Sequence, residues 1–447
     1  MNRAGARRCA RPGRIPREGR GSVTEITAGA VPEARPTAPL QTADGVPLKT
    51  ALARAQRRAK WRAAALVLPL LLFIVASFVV PIGQMLFRSV SNDEFSAHMP
   101  HLVAWFAENG DAAPDDAAWE ALVLDLREAR EDRSIGLVGT RVNYEMSGTR
   151  SLFTSTARKA DKMEPPYREA LLDADKDWGD PELWGVMRRA SSPYTGAFYL
   201  SAIDRTRDAA GDIVMVDENR QVYVAIFWRT LKMSVTIAIL CLLLGYPIAH
   251  LLATLPMRYS NLLMILVLLP FWTSLLVRTT SWMVLLQSQG VVNDVLVWLG
   301  VIGEDGRIQM MYNETGTIIA MTHILLPFMI LPLYSVMRTI PPSYVRAARS
   351  LGATSWTAFR RIYLPQTVPG IGAGILLVFI LAVGYYITPA LVGGTTGTLI
   401  SNLIAFHMQE SHNWSLAAAL AGILLAAVLL LYWLYDRLVG IDNMKLG

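Results

Sequence analysis

Residues able to do chemistry are sparse in this chain, and they point to weak binding, not to catalysis. Trp272, Trp282, Tyr385 and Tyr386 lie in apolar stretches, where their rings offer π faces to a cation. Thr273, Ser274, Thr279 and Ser281 add hydroxyls beside them. Asp294, with Glu304, Asp305 and Glu314, places carboxylates where they would draw cations toward a mouth. Arg278 stands among these groups and opposes tight cation binding. Packing explains any one ring more simply than ligand contact does. The expectation is a low-affinity conduit whose substrate is chosen elsewhere. The sequence holds no G-x-x-x-x-G-K-[ST] phosphate loop, so this chain is not its own ATPase. No Ser/His/Asp set stands out, and no His/Cys/Asp/Glu cluster has metal-ligand spacing. No enzyme activity, metal or bound cofactor is therefore expected. His323, in an apolar stretch, reads as a helix-contact residue. Cys9 and Cys241 fall in segments that the topology keeps apart and give no disulfide framework.

A second grouping is built for contact. It runs Arg346-Ala347-Ala348, three residues, Gly352, nine residues, then Ile362-Tyr363-Leu364-Pro365. Pro341 and Pro342 suit a helix start, where a missing donor costs nothing. Gly352 suits the left-handed position that ends a helix. Thr354 or Ser355 can cap a second helix, and Pro365 is expected to stop it. Ala347 and Ala348 leave a smooth face that another backbone can approach. Tyr344, Leu351, Trp356 and Phe359 are apolar knobs beside it.

The elements that must position these groups are membrane helices. Hydrophobic residues make up 53% of the 447 and charged residues only 17%, which is low for a soluble protein. Six spans are predicted: Ala63 to Phe87, Ala225 to Leu255, Leu262 to Leu286, Thr317 to Met337, Ile371 to Val392 and Leu416 to Leu438. Each exceeds the roughly 18 residues needed to cross the hydrocarbon core. Pro247, Pro270, Pro327, Pro332, Gly384 and Pro389 interrupt them and mark kinks or bends. Residues 1–62 carry 14 basic and 4 acidic residues, which places the N-terminus in the cytoplasm. The loop with Arg338, Arg346, Arg349, Arg360 and Arg361 is cytoplasmic by the same rule. The stretches Gln287 to Glu314 and Gly393 to Ser415 face outward, and residues 439–447 return to the cytoplasm. The basic tail reads as disordered, with lipid attraction or orientation as alternative roles. The first span is expected to stay as an anchor.

Residues 88–222 are the oddity. They hold 25 of the chain's 36 acidic residues against 16 basic ones, and are expected outside the membrane on the extracytoplasmic side. Trp119, Leu122, Val123 and Leu126 follow a helical period behind Pro114-Asp115-Asp116. Asp180-Pro181-Glu182 opens a second helix with Leu183, Trp184 and Met187. Phe198 to Ile203 and Ile213 to Val216 are expected to pair as a hairpin. A docking or gating domain and a dispensable insertion remain equally open.

The contact grouping resembles the E-A-A-x3-G-x9-I-x-L-P coupling motif of ABC-importer permeases, with Arg346 where that family usually has Glu. From about residue 225 to 438 the resemblance narrows to permeases of spermidine/putrescine-type importers. It is carried by Arg229-Thr230-Leu231-Lys232 with Gly245-Tyr246-Pro247. Pro270-Phe271-Trp272-Thr273-Ser274 with Val277-Arg278-Thr279, and Leu325-Leu326-Pro327-Phe328 with Pro332-Leu333-Tyr334, complete it. The resemblance implies an all-α membrane protein of type I importer architecture, with a five-helix permease core at 223–438 and a coupling loop at 338–369. It implies a bacterial inner-membrane subunit with both termini cytoplasmic. It implies ATP used by a separate pair of ATP-binding subunits, a second permease, and an extracytoplasmic binding protein that delivers a small polar or cationic solute. Membrane lipid is the other expected partner, and nucleic acid is not. A secondary transporter or channel would instead show intramembrane acids and an internal repeat.

Overall fold

The computed structural model describes residues 48–110, 112–208 and 211–439. Cys9, most of the basic tail and the C-terminal residues 440–447 lie outside the described residues. The chain divides into two compact units, Met1–Ala76 and Ser77–Gly447. The described part of the first unit is the helix Leu48–Ile74, whose central and C-terminal side chains are exposed and mostly apolar after Arg62. A π-helical turn, Val75–Val79, and the helix Val80–Arg88 continue it, so the apolar run is helical from Ala55 to Arg88.

Within the second unit, residues 89–204 form a helical domain with its own core. Asp115 caps the helix Asp116–Glu131 by accepting the N–H of Ala118. Asp180 does the same for Pro181–Ser191 through Glu182. Both expected helices are therefore present. They bury Trp119, Leu122, Leu126, Leu183 and Met187 around Phe153 and the fully buried Trp178. Trp119 meets Trp184 edge to face at 4.8 Å. The expected hairpin is corrected. Phe198 to Ile203 is mostly helix, Ala197–Ser201, and the partner of Ile213–Met215 is Arg205–Arg207. Tertiary packing overrides the β-prone sequence: Phe198 is buried with Ile400, Leu416 and Leu420, and Tyr199 accepts the Ser89 hydroxyl at 2.8 Å.

Among the described residues five helices are long and apolar enough to cross a membrane, and a bent pair makes a sixth if it counts as one span. The second span is Tyr223–Thr254, the fourth Glu314–Thr339 and the sixth Trp414–Val439. The third is corrected from one continuous helix to two, Met257–Trp272 and Leu275–Leu285, bent by 95°. Pro270 removes a donor there, Thr273 is extended, and Ser274 caps the second piece by accepting the Val277 N–H. The fifth span is also corrected. It runs from Ser355 to Gly384, not from Ile371 to Val392, because Pro365 does not stop the helix. Pro365 falls in the first turn after the π-helical segment Phe359–Tyr363, where a missing donor is tolerated. The helix ends instead at Gly384, and Ile387–Val392 is a separate short helix.

The second, fourth and fifth spans share one core, including Met233, Ile237, Cys241, Met321, Leu325, Leu333, Val378 and Ala382. Gly370 lets the fifth span approach the fourth closely, since a Cβ there would lie 3.0 Å from Val336 Cβ. The domain before the second span is fastened to it by Asp204. One carboxylate oxygen accepts the N–H groups of Val222 and Tyr223 at 3.0 Å, and the other accepts Val224 at 2.8 Å. That carboxylate satisfies orphan donors at a helix N-terminus.

Candidate coupling surface and pathway

The contact grouping folds as a helix, a turn and a second helix. Pro341 precedes the helix Pro342–Ser350. Its end is a Schellman motif: Ala353 donates to the Ala348 carbonyl at 3.1 Å and Gly352 donates to Arg349 at 3.0 Å. Gly352 has φ +90°, which an L side chain rarely adopts. Thr354, not Ser355, is the next cap, accepting the Thr357 N–H at 3.2 Å. This local chemistry holds the two helices at a fixed turn.

The turn brings Tyr344, Ala347, Ala348, Leu351, Ala358 and Ile362 around a shallow groove of about 480 Å³. Leu351 is 90% exposed and Trp356 68%. Such apolar exposure in a polar loop makes this a candidate contact surface. Arg346 is exposed beside the groove. Leu364 and Pro365 sit below it, at the foot of the fifth span. Phe359 is stacked between Trp356 and Tyr363, with centroids 5.8 and 5.9 Å away. His250 and Tyr246 of the second span meet these rings edge-on, His250 lying 5.0 Å from Tyr363. Arg338 donates to the Ala253 carbonyl at 2.9 Å, at the end of the second span. These contacts join the loop that carries the groove to the second and fifth spans.

The pathway residues are less united. Trp272 is 83% exposed at the bend of the third span. Thr273 donates to Pro270 and Ser274 serves as a cap, so both hydroxyls are used in the bend. Trp282 donates its N–H to His323 Nδ1 at 3.1 Å, so both are committed to a helix contact. Tyr385 and Tyr386 occupy the break after Gly384, not the middle of a span. Ser401 and Asn402 hydrogen-bond their carbonyls. Arg278 is half-buried within electrostatic reach of His323 and Tyr385, and its Nε has no partner.

The acidic stretch is half neutralised, with two cations set against its four carboxylates. Asp294 and Glu304 both bind Arg307, at 2.8 and 2.9 Å, and hold its guanidinium above the ordinary value. Glu314 pairs with Lys232 at 2.8 Å. Asp294 as a free attractor is thus corrected to a paired group. Sequence reasoning counted the charges of this stretch but had no signal for their pairing. It also passed over Asp204 and Arg141, whose roles depend on contacts between segments far apart in the chain.

The described residues thus combine membrane-length apolar helices with a small-residue groove on an interhelical loop. Residues 228–440 match the family described as binding-protein-dependent transport system inner membrane component. The chain is 38% identical over 221 residues to the spermidine/putrescine transport system permease protein PotB of Salmonella typhimurium (strain SL1344), covering 49% of this chain and 76% of that protein. It is equally identical to PotB of Escherichia coli (strain K12), over 49% of this chain and 80% of that one. A bacterial ABC transporter crystal structure involved in import of the acidic polysaccharide alginate is 24% identical, with a TM-score of 0.36, over 47% of this chain and 79% of that chain. This chain belongs to the family of binding-protein-dependent transport inner-membrane components, and is a multi-spanning permease component of an ABC importer.

Proposed function

We propose that this subunit forms part of the pathway for a small cationic solute of polyamine type, and that ATP hydrolysed by a partner docked on residues 342–365 drives it. The capped turn with its exposed Ala347 and Leu351 and half-buried Ala348 carries this reading. It offers a rigid apolar groove to another protein and is joined to two spans by ring contacts. The relatives named as spermidine/putrescine permeases support the solute class. The aromatic rings of Trp272, Tyr385 and Tyr386 suit weak passage of a cation better than tight capture. A second permease subunit completes the pathway, and an extracytoplasmic binding protein delivers the solute.

The test is reconstitution of the chain with its co-purifying subunits and binding protein, followed by labelled spermidine uptake with and without ATP. Uptake that needs ATP, and is lost in Ala348→Trp while the protein stays inserted, supports the reading. ATP-independent uptake would identify a secondary transporter or channel. ATP-driven uptake of other solutes but not spermidine would overturn the solute class alone.

A further inference from the structure

A cavity of about 330 Å³ lies where the last turn of the first span meets the start of the sixth, under the domain between the first two spans. Phe87, Arg88, Asp93, Glu94, Arg141 and Ser415 line it. Arg141 is only 1% exposed. Its Nε donates to Asn92, its Nη2 donates to Glu145 at 2.9 Å, and its guanidinium lies 5.2 Å from the Phe198 ring centroid. Its Nη1 is buried with no partner. A buried charged donor without an acceptor is costly, and an anionic oxygen in the cavity would relieve it once the Arg141 side chain shifts toward it. Arg88, held 5.7 Å over the Trp414 ring, adds a second guanidinium. Ser415 lies in the first turn of the sixth span and brings the positive end of that helix's dipole to the same cavity. Asp93 and Glu94 supply carboxylates beside these cations, and Asp93 gives one oxygen to the Ser91 hydroxyl.

The cavity's position names the source of the anion. It sits at the ends of two helices that are apolar enough to cross a membrane, beside exposed Phe87 and Trp414. Aromatic residues at helix ends mark the headgroup level of a bilayer. We infer that this cavity binds the headgroup of a phospholipid carrying a primary ammonium, with its phosphate toward Arg141 and Arg88 and its ammonium toward Asp93 and Glu94. A glycerol headgroup brings no cation for the two carboxylates. A choline headgroup brings a cation with no N–H to donate. Ethanolamine satisfies both halves.

The experiment is native mass spectrometry of the full chain in detergent, offered phosphatidylethanolamine, phosphatidylcholine or phosphatidylglycerol, with inorganic phosphate as a separate arm read by thermal shift. The expected result is one retained phosphatidylethanolamine, favoured about fivefold over the others, the size of one exposed ion pair. Glu94→Gln should erase the headgroup preference and keep one lipid. Arg88→Gln, at an exposed position, should lower retention itself. Equal retention of all three lipids by parent and variants means annular lipid only and overturns the site. Stabilisation by inorganic phosphate equal to that by phosphatidylethanolamine overturns the lipid as its source.

Discussion

Nη1 of Arg307 lies 2.8 Å from Oδ1 of Asp294, and the pair offsets a charge that would otherwise draw cations to this loop. Glu304 binds the same guanidinium at 2.9 Å. Asp294→Asn should therefore change initial spermidine uptake by less than about twofold, as expected for an exposed, compensated charge. Arg307→Gln should raise the initial rate at low ionic strength by uncovering both carboxylates, and the gain should vanish in high salt. Initial rates in proteoliposomes at two salt concentrations measure both. A tenfold loss in Asp294→Asn would restore it as a pathway group.

Gly352 holds φ +90° with no atom within 4 Å of a built Cβ, so only the backbone limits what can replace it. Gly352→Ala should cost roughly 1 kcal/mol of local stability, and Gly352→Asn less, because Asn tolerates the left-handed region. Gly352→Pro also removes the N–H that binds the Arg349 carbonyl and should abolish the turn. ATPase co-purification should fall in the order Asn, Ala, Pro. Full assembly of the proline variant would show that the turn geometry is irrelevant to docking.

The capped turn was legible because its signals are local: two prolines, a glycine and a threonine at fixed offsets. The helices at Asp116 and Pro181 were legible for the same reason. The fate of Pro365 was not, since a proline after a π-helical turn continues a helix that a proline elsewhere would end. The bend at Thr273 was marked by Pro270, but hydropathy alone read one span across it. Phe198 to Ile203 has the composition of a strand and becomes helix because Phe198 is packed against the sixth span, a contact no local pattern records. Charge pairs such as Lys232 with Glu314 are of the same non-local kind.

Arg346 is exposed beside the groove and carries the charge opposite to the family's usual Glu. A partner carboxylate on the docked ATPase is the expected complement, because burying the guanidinium unpaired would be costly. Arg346→Glu should weaken assembly about tenfold or more, and a charge reversal in the ATPase groove should restore it. Co-purification of the subunits reads both steps. If Arg346→Glu assembles and transports like the parent, the position stays in solvent after docking.

Asp125 is fully buried and accepts the N–H groups of His101 and Leu102 at 3.0 and 2.7 Å. Burial pushes its carboxyl from 3.8 up to about 6, against the lowering effect of those two bonds and of His101. Between pH 4 and 6 the folded domain thus keeps a proton that the unfolded chain has released. Stability is expected to fall as pH rises through that window, by on the order of 3 kcal/mol in all, and then level off. Hydrogen exchange in Pro100–Asn109 and Asp116–Glu131, corrected for intrinsic rates, should show weaker protection at pH 7 than at pH 4.5. Asp125→Asn should flatten that difference. An equal slope in parent and variant would assign it to another group.

Residues 89–222 are predicted to lie outside the membrane on charge and continuity. Arg57, Arg58, Lys60 and Arg62 precede the first apolar run, and the positive-inside rule predicts a cytoplasmic place for them. One crossing would then deliver the next segment to the outside, in keeping with its 25 acidic residues against 16 basic ones over 88–222. Ser192 is exposed between the helix Pro181–Ser191 and Tyr194. In a Cys9→Ser background the remaining native thiol, Cys241, is buried in the second span, so a cysteine at Ser192 reports alone. It should react with a membrane-impermeant maleimide in intact cells whose outer layer is permeable. Labelling only after lysis would overturn the topology. The segment's contribution to docking is separable. The Asp204 contacts to Val222, Tyr223 and Val224 tie it to the second span, so a binding protein seated on it would pull on that helix directly. Asp204→Ala should leave the ATPase assembled but reduce stimulation of ATP hydrolysis by the loaded binding protein. Undiminished stimulation would make the segment a passenger on the permease core.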